Sequence, residues 1–154
     1  ERRHDAAFCA FDSLNHMAGP EDLEVAFAHV LAALRPGGLF ACDLNCEAAY
    51  LHAWDDSYGH AEADLACVVT LGYDRAERVG TFEAAVFRAR DDGYWCRSDV
   101  RLRQSAYEPV VVAAALERAG FAEVTITDAA VLPGLQESVG RVASVARRPA
   151  EGLA

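Results

Sequence analysis

Two rhythms of apolar and polar positions run along this chain. Ala6 to Phe11 is an unbroken apolar or small run. A run without alternation predicts a short strand buried in a parallel sheet covered on both faces. It breaks into the polar cluster Asp12, Ser13, Asn15 and His16. Gly19-Pro20-Glu21-Asp22 then sets Pro in a first helical turn, with two acids at the positive end of the helix dipole. Leu23, Ala26, Phe27, Val30, Leu31 and Leu34 follow at helical spacing and form one apolar stripe. Arg35 stands near the end, and Pro36-Gly37-Gly38 stops the helix. Leu39 to Leu44 predicts a second strand, and it too runs out in polar side chains, Asp43 and Asn45. Strand, helix and strand make a βαβ unit with a right-handed crossover and parallel strands.

The rhythm then changes. Residues 46–63 are an aromatic-rich connection, partly helical, holding Tyr50, His52, Trp54 and Tyr58. Leu65 to Tyr73, Val79 to Arg90 and Tyr94 to Ala106 read as strands, separated by a turn at 74–78 and by the tight-turn signal Asp91-Asp92-Gly93. Together they predict an antiparallel three-stranded meander, about residues 65–106, inserted into the α/β frame. After it the α/β pattern resumes. Glu108-Pro109 starts a helix through Val112, Ala113, Leu116 and Ala119, and Gly120 ends it. Phe121 to Thr127 alternates as a strand near a sheet edge. Residues 128–139 read as loop, Arg141 to Arg147 as a last strand, and 150–154 as a frayed tail.

In open α/β sheets, ligands bind beyond the carboxyl ends of the strands. Both polar clusters, 12–16 and 43–45, lie there. The competing reading of the first cluster is a turn in which Ser13 and Asn15 satisfy local backbone groups.

The order of four motifs carries a resemblance. "HDAAFCAFDSLNHM", a Pro-Glu-Asp-Leu helix start, "LRPGGLFACDLN" and "AYEPVVVAAALERAGF" occur in one sequence. Together they resemble the C-terminal half of a class I S-adenosylmethionine-dependent methyltransferase, over about residues 3–149. "FDSLNHM" is similar to the subgroup that acts on small molecules, sugar N-methyltransferases among them. The resemblance implies an α/β half of a Rossmann-like sheet, strands 4-5-7-6 in family order, carrying the meander as an insertion. Its fourth strand would be left as an exposed apolar edge. The cofactor implied is S-adenosylmethionine, the partner a small-molecule N or O methyl acceptor. The family's Gly-rich loop after the first strand and the acid after the second have no counterpart here. The opening Glu1-Arg2-Arg3-His4-Asp5, without Met, reads as a cut into a longer protein.

Site residues follow from the same resemblance. Cys9, Ala10, Phe11 and Leu14 would touch the methionine part of the cofactor. Asp12, Ser13, Asn15, Asp43 and Asn45 would face the acceptor, with Tyr50, Trp54 and Tyr107 as pocket walls. His16 is the candidate catalytic residue, since imidazole accepts a proton near neutral pH. Arg97, Arg101 and Arg103 fit either an acidic ligand or a solvated strand face. His4, His29, His52 and His60 read as surface residues.

Composition narrows the alternatives. Of 154 residues, 53% are hydrophobic and 25% charged, enough apolar content for a packed domain. A net charge of −10 argues against a nucleic-acid partner. No apolar run reaches the length of a membrane span. All 14 basic residues are Arg, which excludes lysine chemistry. The five Cys form no metal pattern and read as buried, reduced thiols of a cytoplasmic protein, so no metal is expected. A homodimer stays open. So does a second class of function, a non-catalytic half-domain acting as a partner or dimerisation module. A dehydrogenase-type Rossmann domain would need a glycine fingerprint absent here.

Overall fold

The computed structural model describes residues 4–150; Glu1–Arg3 of the expected cut end and 151–154 of the expected frayed tail lie outside them. The frame is built from β1 (His4–Cys9), α1 (Pro20–Ala33), β2 (Leu34–Asn45), α3 (Pro109–Arg118), β7 (Ala122–Asp128) and β8 (Arg141–Arg147). Between β2 and α3 lie α2 (Glu47–Ala53) and the strands β3 (Ser57–Ala61), β4 (Leu65–Asp74), β5 (Val79–Ala89) and β6 (Trp95–Ser105).

The frame sheet runs β1-β2-β8-β7. β1 and β2 are parallel, while β8 is antiparallel to both its neighbours. Helices α1 and α3 share one core with one face of this sheet. Leu23, Phe27, Phe40, Leu44, Val112 and Leu116 are all but fully buried in it. Phe40 sits between two rings, with centroids 5.8 Å from Phe27 and 5.8 Å from Phe121. Each such side chain contributes about 1.5–3 kcal/mol by leaving water.

Three expectations are corrected. β1 is not buried on both faces: it is the sheet's edge strand, and Phe8 is 77% exposed on it. It ends at Cys9, because Phe11 (φ 59°) and Asp12 (φ 47°) take left-handed backbone. Leu34 is not the last residue of the helical stripe but the first of β2, with extended backbone and full burial. In a longer helix the Pro36 ring would collide with the preceding turn, so the chain leaves the helix early. Pro36-Gly37-Gly38 becomes an irregularity in the ladder, where pairing slips from His4–Leu34 to Ala6–Leu39. At Gly38 a Cβ would stand 2.9 Å from the Arg35 carbonyl oxygen, so the backbone needs glycine there.

The inserted sheet has four strands rather than three, in the order β3-β4-β5-β6, each antiparallel to the next. The extra strand, "SYGHA", is exposed at every position and held by its backbone ladder to β4. It carries no apolar alternation to read. The base of this sheet rests on α2. Gly80 of β5 lies where a Cβ would come within 2.6 Å of the Tyr50 ring. Tyr50 stacks on Tyr73 at 5.2 Å and meets Trp54 edge-on at 4.9 Å. The far end of β6, from Trp95 to Arg103, is exposed. No helix among the described residues is long and apolar enough to cross a membrane.

Candidate active site

The site starts from the turn that ends β1. Two consecutive non-glycine residues in left-handed backbone cost of order 1–2 kcal/mol each. They persist because their surroundings fix them. Ser13 Oγ donates to the Ala10 carbonyl at 2.7 Å, and the Asn15 amide to the Asp12 carbonyl at 2.9 Å. The result turns the Asp12 carboxylate back over the ends of the strands.

There it meets Asp43 and Arg141. Because β8 is antiparallel to β2, its first residue lies at the carboxyl ends of β1 and β2; Arg141 pairs in register with Asn45. Its Nη1 donates to Asp43 Oδ2 at 2.5 Å and its Nη2 to Asp12 Oδ1 at 2.7 Å. All three side chains are mostly buried, with 24% of Arg141, 17% of Asp12 and 16% of Asp43 exposed. Two carboxylates face one guanidinium, so the clamp holds a net negative charge. Asp43 Oδ1 is buried and has no hydrogen-bond partner. A buried carboxylate oxygen without a donor is costly unless a ligand supplies one.

The inserted sheet closes the other side. Gln104 of β6 donates from Nε2 to Asp12 Oδ2 at 2.5 Å and accepts at Oε1 from the Tyr50 hydroxyl at 3.1 Å. The same Nε2 lies 3.4 Å from His16 Nε2. His16 Nδ1 is 2.9 Å from the Arg103 carbonyl oxygen. The ring itself is exposed.

Asp12, Asp43 and His16 are thus brought together from among the residues singled out in the sequence. The others are placed differently. Asn15 is fully buried: its Nδ2 donates to the carbonyls of Asn45 and Ser105, both at 2.8 Å, and its Oδ1 accepts from the Asn45 amide at 2.9 Å. Asn15 therefore ties the turn after β1 to β2 and β6 with its whole side-chain amide, and Asn45 meets it through main-chain groups only. Tyr107 is buried, with its hydroxyl on the Met17 carbonyl at 2.7 Å. Tyr50 is fully buried under the inserted sheet, and Trp54 packs on it. Leu14 belongs to the apolar core. Ala10 and Phe11 line a cleft of about 290 Å³ together with Asp43, Arg141 and Leu135, and Phe11 is 84% exposed at its rim. Cys9, half-buried, packs toward the core, and burial pushes its thiol up from the ordinary range.

Burial pushes Cys42 to about 12 and Cys46 to about 11, so both stay protonated at neutral pH and neither is a nucleophile. Cys96 departs from the expectation of burial: it lies on the exposed end of β6. Arg97 and Arg101 are exposed and paired with Asp99 and Glu83, a solvated face. His4, His29, His52 and His60 are exposed. Among the described residues no group of three His, Cys, Asp or Glu side chains gathers as a metal site.

Two residues of the site were missed in the sequence, Arg141 and Gln104. A signal for Arg141 existed, because two acids at adjacent strand ends call for a cation on the third strand that meets them. Gln104 had only its neutrality in "RLRQS" to mark it.

No family model and no curated protein matches this sequence. Solved structures do match. An S-adenosylmethionine-dependent methyltransferase from Clostridium acetobutylicum superposes with a TM-score of 0.78 at 17% identity, over 96% of this chain and 59% of that one. A sugar N-methyltransferase from Streptoalloteichus gives 0.71 at 20% identity, over 96% and 57%. An amino pentose methyltransferase from Micromonospora echinaspora, solved with S-adenosylmethionine bound, gives 0.65 at 20% identity, over 95% and 58%. The chain therefore spans under three fifths of the length of each of these structures. Over that span its fold is a half-domain of the class I S-adenosylmethionine-dependent methyltransferase fold.

Proposed function

We propose that this chain supplies the acceptor side of an S-adenosylmethionine-dependent methyltransferase acting on a small-molecule nitrogen or oxygen, with an amine-bearing sugar as the favoured class. The observation that carries this reading is the clamp with its surplus negative charge and the unpartnered Asp43 Oδ1. A carboxylate oxygen held in that state is suited to an ammonium or hydroxyl donor. The fold places it at the strand ends, where α/β sheets bind ligands.

S-adenosylmethionine, when bound, supplies an already activated methyl group. The chain's residues are left with positioning and proton removal. The lip formed by Cys9, Ala10 and Phe11 would hold the methionine end of the cofactor. Asp43 and Asp12 orient the acceptor, and Arg141 holds both carboxylates in place. His16, exposed beside them, takes the proton that an amine or hydroxyl must lose. Ser13 stiffens the turn through the Ala10 carbonyl.

A second reading is an interaction module without catalysis, favoured by the open edge of β1 with Phe8 exposed. Calorimetric titration separates the two. S-adenosylmethionine is titrated into the 154-residue chain and into a fusion of it to the part of the Clostridium acetobutylicum methyltransferase that it does not cover. Heat of binding is expected only for the longer protein, and Asp43→Asn in it is expected to weaken the acceptor amine more than the cofactor. No binding by either protein would favour the interaction module.

A further inference from the structure

His16 can use either ring nitrogen, and its neighbours decide which. Its Nδ1 lies 2.9 Å from the Arg103 carbonyl oxygen, which can only accept. Nδ1 must therefore carry the hydrogen. On the other side stands the Gln104 amide. Its orientation is fixed at both ends: Asp12 Oδ2 accepts at 2.5 Å, which requires the NH₂ group there, and the Tyr50 hydroxyl donates to Oε1 at 3.1 Å. The same nitrogen lies 3.4 Å from His16 Nε2, which leaves its second hydrogen for that atom. A hydrogen on Nε2 would set donor against donor. Both partners thus demand the same tautomer, and both come from consecutive residues of the inserted sheet.

We propose that the Arg103 carbonyl and the Gln104 side chain are positioning groups that hold His16 in the Nδ1–H form, so that Nε2 is its proton-accepting atom. The catalytic role of that atom rests on the methyl-transfer reading; the tautomer does not. Gln104 acts through His16 and Asp12 rather than on the substrate. An acceptor N–H or O–H would take the place of the Gln104 hydrogen on Nε2. Tyr50 and Asp12 keep the Gln104 amide from turning its oxygen toward the ring.

Long-range proton–nitrogen correlation spectra of the histidine-labelled 154-residue chain, at mildly alkaline pH, test this without cofactor. His16 is expected to show a protonated Nδ1 and an unprotonated Nε2. His60 is an internal contrast, because its Nε2 faces Glu62 Oε1 at 3.0 Å and should carry the hydrogen. Gln104→Leu should shift His16 toward a mixture of tautomers, and Gln104→Glu, which sets an acceptor before Nε2, should protonate that atom. Unchanged His60 signals report that each variant has folded. A wild-type His16 carrying its hydrogen on Nε2 would overturn the assignment even if no variant folds. Folded variants that leave both His16 nitrogen signals in place would remove Gln104 from the role. Loss of S-adenosylmethionine binding in calorimetry would sink the methyl-transfer reading and leave these spectra untouched.

Discussion

The two sheets of this molecule are built on different terms. The frame sheet has one face under α1 and α3, and its central strands bury Phe40, Cys42, Leu44, Val142 and Ala146. The inserted sheet has longer ladders and far less burial: along β6 only Gln104 is buried. One is held by an apolar core, the other by backbone pairing and by its base. That base combines the aromatic stack of Tyr50, Tyr73 and Trp54 with the polar Gln104, and the candidate site lies beside it. The well-buried sheet thus carries Asp43 and the turn that holds Asp12, and the sparsely buried sheet carries the groups that address His16.

The contrast can be tested by mutation. Phe40→Ala, which empties the space between Phe27 and Phe121, is expected to cost about 3–5 kcal/mol in urea unfolding. Asn15→Ala strikes the join between the sheets. It strands the buried Asn45 amide and two carbonyls, and should cost about 2–3 kcal/mol. A loss well below that would mean the inserted sheet is docked by something other than this side chain.

Alkaline pH probes the core of the frame through its thiols and the base of the inserted sheet through Tyr73, which burial raises to about 12. The ordinary thiol value is 9.0, and folding raises Cys42 to about 12 and Cys46 to about 11. A raised value stabilises the fold fully below about 9, and that contribution is lost as pH climbs through the folded values. Each thiol adds a slope of up to about 1.4 kcal/mol per pH unit in that window. Unfolding midpoints measured across it should fall, and Cys42→Ala should flatten the decline. The smallest effect belongs to the inserted sheet. Leu102→Ala, at a position 43% exposed, should change stability by about 0.5 kcal/mol or less. A larger loss in the same urea assay would show that this face is covered.

The same contrast explains what could be read from the sequence. Elements of the frame announced themselves, because burial imposes rhythm: α3 and β8 lie where the apolar spacing puts them, and so does α1 up to Ala33. The strand β3 was invisible, since a ladder made of backbone imposes no pattern on side chains. The end of β1 was misplaced by two residues, because Phe11 is apolar and yet points to solvent. At the site, the strand-end rule located Asp12, Asp43 and His16. It could not separate them from Asn15, which shares their chemistry and their address but is spent on main-chain partners. Arg141 and Gln104 lie far away in sequence, and only the pairing of β8 with β2 and the reach of β6 bring them in.

The clamp also has a consequence for how the protein is made. Arg141 reaches Asp12 across 129 positions of sequence, and Asn15 reaches Ser105 across 90. On the ribosome, the two carboxylates emerge before Arg141 and stay without their cation until that residue has been synthesised. The strand ends close only when β8 docks. In this order of synthesis the cation arrives after both carboxylates, and a nascent chain stalled before residue 141 would lack the group that joins them.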